Sequence, residues 1–159
     1  MRVLAIDPGY DRLGVAVMEY IDGKEHLIFS TCVLTDKKND LPERLLTVGQ
    51  AIEDLITSHS PDTVAIETLF FNKNIKTAIG VAQARGLIIY LAKKAGLTVY
   101  EFGPQEIKVA VTGYGNSDKS AVFAMVNRLV PAVPKGALDD EYDAIAVGIT
   151  CLAQFGRTK

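Results

Sequence analysis

The stretch VLAIDPG, from Val3 to Gly9, decides how this chain reads. An apolar run ends in an acid, and Pro8-Gly9 then turns the chain away. Far downstream TVAIE, from Thr63 to Glu67, repeats the arrangement. Both read as short buried strands, and side chains alternate between the faces of a strand. Val3, Ala5 and Asp7 therefore share a face, as do Ala65 and Glu67. If the two strands are neighbours, both carboxylates emerge at one rim of the sheet.

Working outward, residues 2–7, 13–20 and 26–34 read as three strands, with Asp22-Gly23 as the hairpin turn between the second and third. Asp40 and Glu43 form a helix start, and Leu41, Leu45, Val48, Ile52 and Leu55 recur at helical spacing, which predicts an amphipathic helix over 41–58. Strand 63–67 follows, then a helix over about 74–95 carrying Ala78, Gly80, Ala82, Ala84 and Gly86. Each internal glycine costs about 1 kcal/mol against alanine, so this helix reads as one crowded on two sides. Strand 97–102 comes next, then short helices over 104–111 and 118–130, the second with Ser117 as its N-cap. A last helix spans about 138–153, with Leu138, Tyr142, Ile145, Ile149 and Leu152 as its core stripe. This order predicts one α/β domain over 1–159, a mixed five-stranded sheet flanked by helices, with the first, fourth and fifth strands parallel. Ligands of open α/β sheets sit beyond the carboxyl ends of parallel strands, where Asp7 and Glu67 fall.

Composition narrows the classes. The 159 residues are 48% hydrophobic and 23% charged, an ordinary soluble balance. No run approaches the roughly 20 apolar residues that span a bilayer, and no signal-like segment follows Met1. Cys32 and Cys151 lack metal-ligand spacing and read as reduced thiols, which predicts a cytoplasmic location without membrane contact. A net charge of −2 says nothing of a local basic face, so it does not exclude a nucleic-acid partner.

The last helix opens with more acid, Leu138-Asp-Asp-Glu-Tyr-Asp143. Asp140 and Asp143 are three apart and share a turn; Asp139 is an ambiguous neighbour of Asp140. Read singly, Asp7 is turn chemistry and the acidic first turn suits a helix dipole. Read jointly, clustered carboxylates repel unless a cation neutralises them, and oxygen ligands without histidine or cysteine point to Mg²⁺, with Mn²⁺ as a substitute. Two such ions can activate water and stabilise the leaving oxygen in phosphodiester cleavage.

With those residues in view, the sequence resembles RuvC-type Holliday-junction resolvases, of the RNase H-like (retroviral-integrase-like) fold. The carriers are IDPG (Ile6 to Gly9), AIE (Ala65 to Glu67) followed by Phe70, and QARG (Gln83 to Gly86). Further on come Lys108 in QEIK, Ser117-Asp-Lys-Ser120 and DDEYDA (Asp139 to Ala144). The resemblance implies a Mg²⁺-dependent homodimer that cuts four-way junction DNA in recombination and repair, leaving 5′-phosphate and 3′-hydroxyl ends. It also implies a RuvAB-like branch-migration partner. By position, Asp7, Glu67, Asp140 and Asp143 match the catalytic acids that hold two ions, and Lys108 and Lys119 match the family's lysines.

Further DNA contacts are expected around these positions. Lys119, with Ser117 and Ser120, opens a helix whose free N–H groups attract phosphate. Phe70, or its neighbour Phe71, stacks on an unpaired base or packs beneath a loop. Lys73, Asn74, Lys76, Gln83 and Arg85 offer a polar and basic surface, although Arg85 fits an internal ion pair equally well. The small-residue helix is expected at a two-fold dimer interface, which would present two identical sites to a pseudo-symmetric junction. Competing readings are a YqgF-type RNase H-like nuclease acting on structured RNA and a DNA-binding protein without catalysis. A phosphate-binding ATPase of the actin and sugar-kinase type needs two such domains, more than 159 residues supply.

Overall fold

A computed structural model describes residues 1–69 and 75–156, the side chains of Ile75 and Lys76 excepted. Strands β1 (Arg2–Asp7), β2 (Arg12–Ile21) and β3 (Lys24–Leu34) form an antiparallel meander, followed by α1 (Leu41–His59), β4 (Thr63–Glu67), α2 (Ile75–Lys94) and β5 (Thr98–Phe102). Helices α3 (Pro104–Thr112), α4 (Lys119–Leu129) and α5 (Asp139–Phe155) complete the chain. The sheet order is β3-β2-β1-β4-β5, with β1, β4 and β5 parallel, the mixed five-stranded arrangement expected. No described helix is long and apolar enough to cross a membrane.

Local chemistry sets the boundaries. Asp22 and Gly23 both take positive φ, 51° and 81°, the primed turn whose twist suits a two-residue hairpin. Asp40 caps α1, its Oδ1 accepting the Glu43 N–H at 3.0 Å. Two expectations need correction. The N-cap of α4 is Asp118, whose carboxylate accepts from Ala121 N–H and from Ser120 Oγ, both at 2.8 Å. Ser117 Oγ instead donates to the Tyr114 carbonyl at 2.8 Å and lies 2.7 Å from Thr112 Oγ1. A charged acceptor also suits the positive helix end better than a hydroxyl. Leu138 is likewise not in the core: it is the N-cap of α5, 39% exposed, with its N–H donated to Glu141 Oε1 at 3.2 Å.

Each face of the sheet has its own core. On one side α3, α4 and α5 cover Val3, Ala5, Ala16, Met18 and Ala65. On the other, α1 and α2 cover Leu4, Ile6, Leu13, Val15, Val17, Val64 and Ile66. Helix α5 is buried continuously from Ala144 to Leu152, so only its first turn reaches the rim. The small residues of α2 divide between two roles. Ala84 and Ala92 are buried beneath the helix, and a Cβ on Gly80 would fall 2.6 Å from the Tyr10 ring. Gly86 faces open space, and Ala82 is exposed.

Candidate active site

Parallel pairing of Leu4 with Val64 and of Ile6 with Ile66 brings the next residues, Asp7 and Glu67, to the same rim. Alternation then turns both toward the α5 side, since Ala5 and Ala65 lie in that core. Helix α5 packs across β1 and β2. Gly14, the β2 partner of Asp7, makes this approach possible, because a Cβ there would collide with the Asp140 carbonyl oxygen. Asp140 and Asp143 are thereby brought beside the two strand-end acids.

The charges register one another. Burial pushes the Asp7 carboxyl up to about 8, helped by the charges of Glu67, Asp143 and Asp140 and opposed by Lys119. Burial, then Asp143, pushes Glu67 up to about 7 against Lys119 and Lys108. Asp143 is also raised, its burial outweighing its ion pair with Lys119. Partial burial works against the Lys119 charge. The hydrogen bond to Asp143 and the charges of Asp143 and Asp139 outweigh it, and its pKa stays above the usual lysine value. Lys119 Nζ lies 3.0 Å from Asp143 Oδ2 and 3.5 Å from Asp139 Oδ2.

An open pocket of about 270 Å³ gathers Glu67, Asp143, Lys108 and Lys119 against apolar walls from Ile107, Val122 and Ala146. Acids that must share a negative site thus stand beside cations that could meet a phosphate. The donor set is all carboxylate, the chemistry of a hard divalent cation, and the acids most buried are those that most need one. As the side chains stand, no three His, Cys, Asp or Glu residues among those described converge to hold an ion. Asp140 and Asp143 are instead each engaged by a cation, Arg12 and Lys119. The residues fit divalent ions by donor type and charge, with Asp143 exchanging Lys119 for the ion and Asp140 offering the oxygen that Arg12 leaves free.

The other expected contacts fare differently. Ser117 and Ser120 are taken up in turn and cap bonds, and Asp118 already satisfies Ala121 N–H, so α4 offers a phosphate less free backbone than expected. Arg85 adopts the internal alternative: it pairs with Glu101, and its Nε donates to the Glu67 carbonyl at 3.3 Å, bracing the end of β4. Gln83 is exposed on α2. Phe70, Phe71, Lys73 and Asn74, and the side chain of Lys76, lie outside the described residues.

Sequence reasoning missed Arg12, which pairs with Asp140, and a ring stack at 4.5 Å between Phe123 and Tyr142. Lys119 Nζ lies 5.3 Å from the Phe123 ring centre, so the stack also contacts the lysine. Period-two alternation from Gly14 back to Arg12 would have put that arginine on the acidic face, once the hairpin register was known.

Comparison with known proteins agrees with this geometry. The family model described as Crossover junction endodeoxyribonuclease RuvC matches residues 3–151. A protein of that name from Petrotoga mobilis is 38% identical over 99% of this chain and 96% of its own length. One from Caldanaerobacter subterraneus subsp. tengcongensis is 44% identical over 94% of this chain and 90% of its own. The structure of Thermus thermophilus RuvC in complex with a Holliday junction substrate superposes with a TM-score of 0.89 at 29% identity, covering 98% of this chain and 96% of that one. The chain belongs to the RuvC family of crossover junction endodeoxyribonucleases.

Proposed function

We propose that this protein is an endonuclease that resolves four-way DNA junctions by hydrolysing phosphodiester bonds with divalent cations, Mg²⁺ in the first place. The observation that carries the reading is the convergence of Asp7, Glu67, Asp140 and Asp143 from β1, β4 and α5, with Lys108 and Lys119 alongside. Family membership and the junction-bound relative from Thermus thermophilus give the substrate class.

Asp7 and Glu67 present their oxygens from the rigid ends of two parallel strands, and Asp140 and Asp143 do so from one helix turn. Divalent ions held by these four carboxylates would supply Lewis acidity to activate water and charge to stabilise the leaving 3′ oxygen. Burial and the neighbouring acids raise the Asp7 carboxyl to about 8, so its binding of a cation would be coupled to loss of a proton. Lys119 leaves Asp143 for a phosphate oxygen in the same pocket, and Lys108, which also lines it, meets the same group. Phe70, just past Glu67, supplies a base-stacking contact of about 1–3 kcal/mol at the branch point.

Paired, symmetric cuts require two copies of the site. Ile79 and Tyr90 of α2 are 58% and 63% exposed, and Gly86 between them faces open space. That face suits close approach by a second copy in a two-fold dimer. Both cysteines are free, in keeping with a cytoplasmic setting.

The decisive assay offers a synthetic four-way junction, a linear duplex and a structured RNA, each with Mg²⁺ and with chelator. Nicking of the junction alone, at symmetric positions and only with Mg²⁺, is the expected result. Cleavage of the RNA in preference, or junction binding without any cleavage, overturns the reading.

A further inference from the structure

Asp140 is reached from outside the acid cluster by one cation. Arg12 starts β2, beyond the end of β1, and its guanidinium pairs with Asp140 Oδ2. A second group stands near that guanidinium: the Cys32 thiol, which interacts with it electrostatically. Cys32 sits on β3 opposite Gly14, two positions along from Arg12's own partner Leu34. The same hairpin grips the first turn of α5 at two more points. Gly14 lets the Asp140 backbone come close, and Ser30 Oγ donates to Glu141 Oε2 at 3.0 Å. Glu141 in turn accepts the Leu138 N–H with its other oxygen.

From this geometry we infer that Arg12 is a positioning residue for cation binding, holding the Asp140 carboxylate by one oxygen while the other is left for a divalent ion. The inference rests on the metal-dependent reading above. Carboxylate ligands work best when an outer partner fixes their orientation, and loss of such a partner typically weakens metal affinity by about 10–100-fold. An ordinary surface ion pair would behave otherwise. The Arg12 side chain is 45% exposed, so its removal should hardly shift the melting temperature of the ion-free protein. A position that matters little to folding and strongly to cation affinity is the signature sought.

The test is titration of the full chain with Mn²⁺, without DNA, reading the free ion by electron paramagnetic resonance, with a thermal melt of each ion-free variant. Arg12→Met is expected to weaken Mn²⁺ binding tenfold or more, with a melting temperature close to the native one. Arg12→Lys should recover part of the loss, because a point charge still reaches one oxygen. Arg12→Met combined with Asp140→Asn should bind no more weakly than Asp140→Asn alone, since both act through one carboxylate. Unchanged binding by Arg12→Met, tighter binding because the arginine competes with the ion, or additive losses in the double variant would each overturn the inference. Native protein that fails to bind Mn²⁺ overturns the metal reading as well, whereas native binding with an indifferent Arg12→Met overturns only the role of Arg12.

Discussion

The two faces of the sheet are built from the same strands and do different jobs. The face under α1 and α2 carries large aliphatic residues, Leu4, Ile6, Val64 and Ile66, and no acid of the site. The face under α5 carries small ones, Ala5, Ala16 and Ala65, and two of the three strands that bear them end in Asp7 and Glu67. Small residues let α5 sit close: a Cβ on Gly148 would lie 2.5 Å from Met18 Sδ and 3.2 Å from Ala5 Cβ. On the opposite face, a Cβ on Gly49 of α1 would first meet Leu87 Cδ2 at 3.3 Å, the far end of a flexible side chain. The difference teaches where accuracy is needed. Close apposition holds the first turn of α5 against the strand ends, so the carboxylates proposed as catalytic inherit the rigidity of the core behind them.

The sharpest break of this comparison uses adjacent residues on opposite faces. Asp7→Asn should cut junction cleavage by more than about 100-fold and leave junction binding largely intact. The same change should raise the melting temperature of the ion-free protein at pH 8, because it removes a buried charge with no compensating cation. Ile6→Val should do the reverse, costing about 0.5–1.5 kcal/mol by urea unfolding with cleavage unaltered. Native-like nicking by Asp7→Asn would remove Asp7 from the site.

A second contrast pairs two helical glycines. Gly148→Ala is expected to cost about 1–3 kcal/mol through overpacking, and to lower cleavage more than the loss of folded protein explains. Gly49→Ala should be neutral or stabilising by up to about 1 kcal/mol, since Leu87 can yield. Equal behaviour of the two variants in urea would mean that the faces do not differ in tightness.

A further effect is in pH. Asp7 rises from 3.8 to about 8 and Glu67 from 4.5 to about 7 on folding, so the folded state holds their protons more tightly than the unfolded chain. Stability from this source is fully present below about pH 4 and is lost as the pH climbs through 7 and 8. Ion-free protein should therefore melt at lower temperature at pH 8 than at pH 6, and added Mg²⁺ should recover more at pH 8. A melting temperature that rises over this interval without metal would contradict the buried, cation-seeking cluster.

Much of this was legible in the chain itself. Alternation in VLAID and TVAIE placed Ala5 with Asp7 and Ala65 with Glu67, and that pairing holds in the structure. Asp22-Gly23 marked its hairpin because few residues tolerate positive φ twice in succession. Two readings needed correction and one alternative stayed open. Ser117 and Asp118 are both good caps side by side, and only the Tyr114 turn decides which is free to serve. Leu138 fits the α5 stripe by spacing, yet it stands one residue before the helix begins. Arg85 gave two equal readings until Glu101 on β5 came within reach.

Sequence alone thus determined the elements, the face of each strand that bears an acid, and the family, because these depend on local periodicity and on motifs read in order. The tertiary structure decided which charges meet. Arg12 reaches Asp140, and Lys119 reaches Asp143, across more than a hundred and more than twenty residues of chain respectively. Electrostatic partnership depends on distance in space, and the packing of α5 on small residues of β1, β2 and β4, and of α4 on α5, sets those distances.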